Sequence, residues 1–327
     1  MNASIRTMAL LSAAWLSVAF WMPAAAQEYP ARLIRIVVAS GAGGPVDLTG
    51  RVIAQKLSEA WKQPVIVENR VGASEIIGTE AVAKSKPDGY TLLIVANPLT
   101  INPAVFAKLP YDPVRSFTTV TMLTQTPMAV VANPKAPFNS ISELIAQAKA
   151  RPGDIAWASA GVATMNHITG EQFAAETGIK ILHVPYKDGS PAAANGVISG
   201  DAQFGIVALA SAMPFVQSGR LKALAVTTEK RTALAPDVPS LAELGVAGID
   251  AAVRVGMYAP AGTPKEVIAK LNAEVNRILQ DPGTRQQLAN IGADPYGSTT
   301  PEEHRAIISR IAAQIAKIVA QSNIKIE

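Results

Sequence analysis

The sequence of 327 residues contains no cysteine. Disulfide bonds, thiolate catalysis and zinc–sulfur sites are therefore excluded, and packing alone must hold the fold together. An excess of one charge is also lacking, because 29 Lys and Arg residues against 25 Asp and Glu residues leave a formal net charge of only +4. Since there is no basic run and no cluster of aromatic and basic residues, nucleic-acid binding is not expected.

Motifs of common hydrolases are missing as well. The sequence has no Gly-x-Ser-x-Gly element and no His-Glu-x-x-His element, and its three histidines are far apart. His304, near two glutamates, is expected at the solvated surface, and His183, at a strand end, is expected to be structural. His167, one turn into a predicted helix, is either a buried hydrogen-bonded residue or a ligand contact. We therefore expect no enzyme activity, no metal and no cofactor.

A long apolar run occurs at the amino terminus. It covers residues 8–22, follows Arg6, and leads into Ala24-Ala25-Ala26. This order predicts a secretory signal peptide over residues 1–26, cleaved near Ala26, and hence a mature protein in the periplasm. A membrane anchor is the alternative, but the run is shorter than the roughly 20 residues that a spanning helix needs.

The rest of the chain alternates short β-branched runs with amphipathic stretches, which is typical of parallel sheets covered by helices. Strands are predicted over residues 33–38, 65–68, 91–95, 155–158, 181–184, 203–207, 221–227 and 255–258. Helices are predicted over residues 46–61, 76–84, 142–150, 166–177, 191–199 and 212–218, and the closing third is expected to be mainly helical.

One β-rich segment is too long for an ordinary strand. Residues 116–133 carry Pro127 in their middle, and we interpret them as a strand that leaves one sheet and enters another. A second passage, residues 251–258, would carry the chain back. Two crossings predict two α/β lobes, the first built from residues 27–126 and 254–327 and the second from residues 127–253. A ligand is expected between them, at the carboxyl ends of strands from both lobes.

The strongest indication of a binding site is a glycine-rich turn. Gly41, Gly43 and Gly44 follow the first predicted strand and open a predicted helix. Backbone N–H groups at such a helix start are unpaired and attract anions. Asp47, in the first helical turn, cannot attract an anion directly. It is expected to satisfy N–H groups of the turn, with bridging water as its link to a ligand.

A dinucleotide site is the competing interpretation of this turn. A strand, a glycine turn, a helix and then Glu68 at the end of the next strand imitate a dinucleotide-binding fold. The third glycine of that motif is missing, however, because Val46 stands three residues beyond Gly43. Export would also separate the protein from the nicotinamide cofactors of the cytoplasm, so an NAD-dependent oxidoreductase is the weaker alternative.

Motifs along the whole mature chain resemble those of substrate-binding proteins of the tripartite tricarboxylate transporter family, the Bug receptors. They are Tyr29-Pro30, Ala42-Gly43-Gly44 with Asp47, Gln63-Pro64-Val65-Ile66-Val67-Glu68-Asn69-Arg70, Lys86-Pro87-Asp88-Gly89-Tyr90-Thr91-Leu92-Leu93, Leu109-Pro110-Tyr111-Asp112-Pro113, Ala158-Ser159-Ala160-Gly161, His183-Val184-Pro185-Tyr186-Lys187, Leu224-Ala225-Val226-Thr227, Pro236-Asp237-Val238-Pro239 and Ala259-Pro260-Ala261-Gly262-Thr263-Pro264. Each motif alone is weak, but their number, order and spacing are specific.

The resemblance implies a two-lobed periplasmic binding protein of the type II kind, with a mainly parallel sheet in each lobe and two crossover strands. Its lobes would close on a small carboxylate, often a dicarboxylate, and present it to transporter subunits in the membrane or, for an orphan receptor, to a sensor. We expect a monomer. The implied ligand contacts in the first lobe are Ser40, Gly41, Ala42, Gly43, Gly44 and Asp47. Those in the second lobe are Ala160, Gly161, Thr164, Asn166 and His167, and Asp188 either caps the next helix or meets the ligand.

The sequence departs from the family pattern at several of these places. Val207 and Ala208 stand where relatives often carry Asp-Asn, which argues against a ligand with an ammonium group because an unpaired buried ammonium is costly. Arg254 replaces a position that is commonly tryptophan, and it is expected either to bind a ligand carboxylate or to be a surface residue. The loop at residues 71–76 also departs from the family's Pro-Gly-Ala-Gly-Gly-Asn, which puts its usual role in doubt. The apolar pair Val207 and Ala208 and the added Arg254 favour an aromatic dicarboxylate such as a phthalate isomer, with aliphatic diacids of four to six carbons close behind.

Overall fold

Ten strands form one continuous mixed sheet in the computed structural model, which describes residues 29–322 and 324. The predicted signal peptide lies outside the described residues. All helices and strands of the described residues belong to the unit that begins at Arg32. No helix in the described part of the chain combines the length and apolar character needed to cross a bilayer.

The amino-terminal part builds three parallel strands in the order β2-β1-β3, with helices between them. Its elements are β1 (Ile34–Val38), α1 (Pro45–Trp61), β2 (Val65–Asn69), α2 (Ile76–Ala83), β3 (Thr91–Val95) and α3 (Pro98–Val105). The sequence pattern did not predict α3, which contains Pro103 within its span, because an internal proline removes a helix hydrogen bond and normally marks a boundary.

The middle part forms the second set of strands, in which β5 pairs in parallel with both β6 and β7. Its elements are β4 (Phe117–Ala132), α4 (Ile141–Ala150), β5 (Ala156–Ser159), α5 (Met165–Thr177), β6 (Leu182–Pro185), α6 (Gly189–Ser199), β7 (Phe204–Ala208), α7 (Leu209–Gln217) and β8 (Lys222–Val226). The closing part is mainly helical, as expected, with β9 (Ala252–Pro260), α8 (Lys265–Gln280), α9 (Pro282–Asn290), β10 (Asp294–Pro295) and α10 (Pro301–Ser322).

Strand β4 joins the two sets of strands. Its first part, from Phe117 to Pro127, pairs with β9, while Met128 to Ala132 pair with β7 and β8. The long β-rich segment therefore does pass from one group of strands to another, as the sequence predicts. We call β1, β2, β3, β9, β10 and the first part of β4 the first half-sheet, and β5 to β8 with the rest of β4 the second half-sheet.

The directions of the strands bring the carboxyl ends of both half-sheets to the same region. Strand β3 is antiparallel to β9, and β9 is antiparallel to β4, so β1, β2 and β3 run in the same direction as β4, toward the second half-sheet. Strand β7 is antiparallel to β4, so β5, β6 and β7 run back toward the first. Val95, at the end of β3, pairs with Gly256 of β9, which in turn pairs with Met122 of β4. Ala208, at the end of β7, pairs with Met128 of β4. The loops that follow both sets of strands thus converge on the middle of β4.

Helix α10 connects the two half-sheets by packing. At its start, the Thr119 hydroxyl of β4 donates to the Pro301 carbonyl at 2.7 Å. Farther along, Ile311 and Ile315 join a buried cluster with Trp157 of the second half-sheet. Burial of this apolar stripe fixes the helix against both groups of strands.

His304 contradicts the expectation of a solvated surface residue. It is fully buried in the first turn of α10, and its Nε2 lies 3.2 Å from the Tyr258 hydroxyl of β9. Gly256 makes the room, because a Cβ there would lie 2.7 Å from that same Nε2. Burial lowers the pKa of His304 to about 3, so the ring is neutral. The adjacent glutamates misled the prediction because they lie on the exposed side of the helix.

Candidate ligand-binding site

The glycine turn between β1 and α1 is open. Gly41, Ala42 and Gly43 are exposed, and a Cβ added at Gly41 or Gly43 would meet no atom within 4 Å. Gly43 has a φ of +81°, which glycine adopts without strain. Helix α1 starts directly after the turn, and the N–H groups of its first turn have no intrahelical acceptor. An anion can therefore approach this helix start without displacing a side chain.

Asp47 holds the turn from the inside. Its Oδ2 accepts hydrogen bonds from the Gly43 N–H at 2.8 Å and from Arg51 Nε at 2.9 Å, and its Oδ1 accepts one from Asn69 Nδ2 at 2.8 Å. Burial alone would raise the pKa of Asp47, but these bonds outweigh it and keep the pKa below its usual value. The carboxylate thus has the structural role favoured by the sequence, and the Gly43 N–H is already occupied. Ser40, whose carbonyl also accepts from Asn69 Nδ2, has a buried Oγ without a partner among the described residues.

The second loop, between β5 and α5, is bonded largely to itself. The Thr164 hydroxyl donates to the Gly161 carbonyl at 2.8 Å and accepts from the His167 N–H at 3.3 Å, so it caps α5. The N–H of Ala163 donates to His167 Nδ1 at 3.1 Å, although Ala163 itself has a left-handed φ of +56°. The hydroxyl expected to face a ligand is therefore used within the loop. Ala160, partly exposed, retains access to solvent at the end of β5.

Two stacked histidines support this loop from behind. The rings of His167 and His183 lie 4.0 Å apart and nearly parallel, and Trp157 stacks on His183 at 4.5 Å. His183 Nε2 lies 2.7 Å from the Ser159 hydroxyl, and Ser159 Oγ accepts from the Gly161 N–H. Burial, and then the neighbouring His167, lower the pKa of His183 to about 4. Both histidines thus brace the loop, and of the two roles open for His167 the structure favours the buried hydrogen-bonded one.

The remaining residues predicted in the second half-sheet differ in their exposure. Asn166 is buried and ties α5 to β7, because its Nδ2 donates to the Ile206 carbonyl at 3.0 Å. Val207 is fully buried in a cluster beneath the sheet, which places its side chain in the core and not at the loops. Ala208, partly exposed, ends β7. Asp188 is exposed at the amino-terminal cap of α6, but its side chain makes no capping bond.

Of the two expectations for Arg254, the structure contradicts the one that made it a surface residue, and its buried Nε has no hydrogen-bond partner among the described residues. Its guanidinium is buried, so it is not a surface residue. Nη2 donates to Asp250 Oδ1 at 2.7 Å and Nη1 donates to the Asp250 carbonyl at 3.2 Å. The carboxylate that this arginine binds is thus one of the chain's own, because Asp250 lies four residues before it at the start of the same crossing.

Sequence reasoning assigned no role to Glu75, although the structure places it beside the first turn. Ala73, Ser74 and Glu75 have φ values of 47°, 53° and 69°, three successive left-handed residues with a side chain. Glu75 precedes α2, and Gly78 of that helix is packed so closely that a Cβ would lie 2.9 Å from Ala39 Cα. The sequence did mark this loop as unusual, because Ser74 and Glu75 stand where the resembled family usually has two glycines. Only the backbone conformation shows that those positions are left-handed.

The geometry assembled here can hold an anion. Among residues 29–322 and 324, no set of three His, Asp or Glu side chains is arranged to hold a metal ion. The exposed glycine turn and the second loop each combine a strand end with a helix start, and strand direction brings both to the middle of β4. This arrangement suits binding between two opposed loops.

Comparison with known proteins agrees with this geometry. Residues 49–324 match the model of the "Tripartite tricarboxylate transporter family receptor". The chain is 36% identical over 310 residues to Protein BugT of Bordetella pertussis, covering 93% of this chain and 94% of that protein. The chain is also similar to the protein in the structure of R. palustris Rpa4515 with adipate. The two sequences are 31% identical, the TM-score is 0.76, and the match covers 91% of this chain and 100% of that one. Periplasmic binding protein BugD is similar at 31% identity and a TM-score of 0.72, over the same shares of both chains.

Proposed function

The chain belongs to the tripartite tricarboxylate transporter receptor family, which consists of periplasmic solute-binding receptors and not enzymes, and we propose that it captures a small aliphatic dicarboxylate for its transporter. The observation that carries this proposal is the convergence of the open Gly41–Gly43 turn and the Ala160 loop on the middle of β4. One carboxylate binds at each loop, and the acyl chain spans the gap between them.

The two-lobed division supplies the mechanism of capture. Residues 27–126 with 254–327, and residues 127–253, are the lobes, and they move about the middle of β4 and the start of β9. Contacts made by both loops exist only when the gap is closed, so the ligand shifts the equilibrium toward the closed form. The closed form is the one recognised by the membrane subunits of the transporter. The amino-terminal residues 1–26 direct the protein to the periplasm and are removed near Ala26.

An aliphatic diacid is preferred here over an aromatic one. The argument for a phthalate isomer rested on Arg254 as a cation in the site, and that guanidinium is paired with Asp250. The similarity to Rpa4515, whose structure contains adipate, supports a diacid of about that length. The dinucleotide alternative is not retained, because the family to which the chain belongs consists of solute-binding receptors and not of oxidoreductases.

Ligand-induced stabilisation tests the proposal directly. The purified protein is melted with adipate, malate, phthalate, glutamate and NAD, and affinities are measured by calorimetry. A ligand present at 100 times its Kd stabilises the folded state by about 2.7 kcal/mol. We expect adipate or malate to raise the Tm and NAD to leave it unchanged. A Tm that rises with none of the diacids would refute the assignment.

A matched pair of variants locates the site. Gly41→Leu adds a side chain where the folded protein has free space, so the fold is preserved while the approach to the turn is blocked. Ala150→Leu adds the same side chain at the exposed last residue of α4, which belongs to neither loop. We expect Gly41→Leu to weaken diacid binding at least tenfold and Ala150→Leu to have no effect. Equal affinities in the two variants would place the ligand elsewhere.

A further inference from the structure

The loop that carries Glu75 is held in a costly conformation. A left-handed residue with a Cβ costs roughly 1–2 kcal/mol, and the loop contains three in succession, Ala73, Ser74 and Glu75. Such strain persists only where surrounding contacts determine the conformation, and it is concentrated at binding sites. Asn102 of α3 supplies one such contact by donating to the Ser74 carbonyl at 2.9 Å. The loop is therefore fixed in place, and its conformation turns Glu75 inward.

The Glu75 carboxyl lies at the strand ends that border the glycine turn. It interacts with the N–H of Ala96, the residue that follows β3. Strands β1 and β3 are neighbours, with Val38 paired to Ile94, so Ser40 and Ala96 each follow the carboxyl end of one of two adjacent strands. Glu75 Oε2 and Ser40 Oγ are both buried without a hydrogen-bond partner in the described part of the chain. Two unsatisfied oxygens at one edge are costly unless a ligand completes them.

Among residues 29–322 and 324, no positive charge lowers the pKa of this carboxyl. Burial raises the pKa of Glu75 to about 7, and the Ala96 N–H only partly opposes that shift. Glu75 acts electrostatically on the Tyr111 hydroxyl, whose pKa is raised mainly by burial. The charged groups on the adjoining segments are occupied elsewhere: Arg70 with Glu68, Asp47 with Arg51, and Asp112 with Arg115. An anion that binds at this edge would repel an ionised Glu75, whereas a neutral carboxyl can donate its O–H to the anion.

We propose that Glu75 contacts one carboxylate of the ligand as a neutral acid, so that the dicarboxylate and one proton bind together. This inference rests on the proposed function. The Glu75 O–H is the donor, a ligand carboxylate oxygen is the acceptor, and the Ser40 hydroxyl lies at the same edge as a second donor. Binding then requires protonation of whatever fraction of Glu75 is ionised in the free protein. The same arrangement disfavours ligands that carry no hydrogen-bond acceptor at this end, because they leave the carboxyl proton unpaired.

The test measures proton uptake and the pH dependence of affinity on the full mature protein. Adipate, malate and phthalate are titrated calorimetrically at pH 6.0 and 8.5, and at pH 7.5 in two buffers of different ionisation enthalpy. With a pKa near 7 in the free protein, about three-quarters of a proton should be taken up per ligand at pH 7.5, and Kd should weaken about 30-fold between pH 6.0 and 8.5. Glu75→Gln keeps the shape and a donor but cannot titrate, so its Kd should be independent of pH. Glu80→Gln, the same change farther along α2, should behave as the wild type.

Each outcome separates the two proposals. Binding with no proton uptake by the wild type overturns the role of Glu75 and leaves the dicarboxylate receptor intact. Proton uptake that persists in Glu75→Gln also overturns it, because another group would then be the proton acceptor. If none of the three diacids binds at either pH, both proposals fail. The buffer comparison uses the wild type alone, so the inference is tested even if Glu75→Gln does not fold.

Discussion

Replacing His304 with glutamine should remove a large part of the acid sensitivity of this protein. His304 is fully buried between α10 and β9, and its one hydrogen-bond partner in the described structure is the Tyr258 hydroxyl. Glutamine can keep that bond, so the variant should lose only about 1 kcal/mol at pH 7. What it lacks is a group that takes up a proton on unfolding.

The sign and size follow from the two pKa values of His304. In the unfolded chain the pKa of histidine is near 6.5, whereas in the folded protein the pKa of His304 is about 3 because burial disfavours the charged ring. Below pH 6.5 the unfolded state therefore binds the proton and the folded state does not. The free energy of unfolding falls by about 1.4 kcal/mol for each pH unit, which amounts to about 2.7 kcal/mol by pH 4.5.

Urea denaturation at pH 7.0 and pH 4.5 measures this loss in both proteins. His183, whose pKa is also lowered, contributes in the same direction, but it is present in both and cancels in the difference. The wild type should lose about 2.7 kcal/mol more than His304→Gln between these two pH values. If both proteins lose the same amount, His304 is accessible to protons in the folded state and the burial argument is wrong.

Three further substitutions test the packing and the site. Gly170→Ala should lower the Tm by ten degrees or more, because its Cβ would lie 1.9 Å from the Trp157 ring, and an unchanged Tm would show that the ring can move aside. Asp47→Ala removes the acceptor of the Gly43 N–H and should destabilise the protein by roughly 2–3 kcal/mol in urea denaturation while weakening diacid binding; full affinity would mean that the turn keeps its shape unaided. Arg254→Met removes the buried cation beside Asp250 but leaves that carboxylate the Glu229 N–H at 3.3 Å and Arg310 at 3.9 Å, so it should cost roughly 1–3 kcal/mol in the same assay with no change in Kd. A weakened Kd would return the arginine to the site.

The secondary structure could be predicted closely because its signals are local. The predicted strand over residues 91–95 matches β3, and the long segment over residues 116–133 matches the 16-residue β4. The prediction for β4 succeeded because its β-branched residues continue on both sides of Pro127, which the strand accommodates at the point where its partner changes from β9 to β7. Helix α3 was not predicted because Pro103 lies inside it, and an internal proline normally indicates the end of a helix.

The candidate site was predictable only in part. The glycine turn was found because helix starts after glycine-rich strand ends expose N–H groups, whatever surrounds them. The hydrogen-bond partners of Thr164 and Arg254 could not be predicted. Thr164 bonds to Gly161 and Arg254 bonds to Asp250 because of the loop conformations, which sequence periodicity does not predict. The burial of Glu75 was not predicted for the same reason. A glutamate in a loop is normally expected in solvent, and only the left-handed backbone at this position turns its carboxyl inward.

The sequence by itself therefore determined the α/β class, the crossing strand, the exposed glycine turn and the receptor family. These depend on the order of residues along short stretches and on the number and spacing of motifs along the chain. The tertiary structure alone decided which charges are neutralised within the chain, which histidines are buried and which described carboxyl has no cation beside it. Burial and pairing are properties of residues that are distant in sequence, as with His304 against Tyr258 and Glu75 against Ala96. The free energy of a charged group is set by those neighbours and not by its position in the sequence.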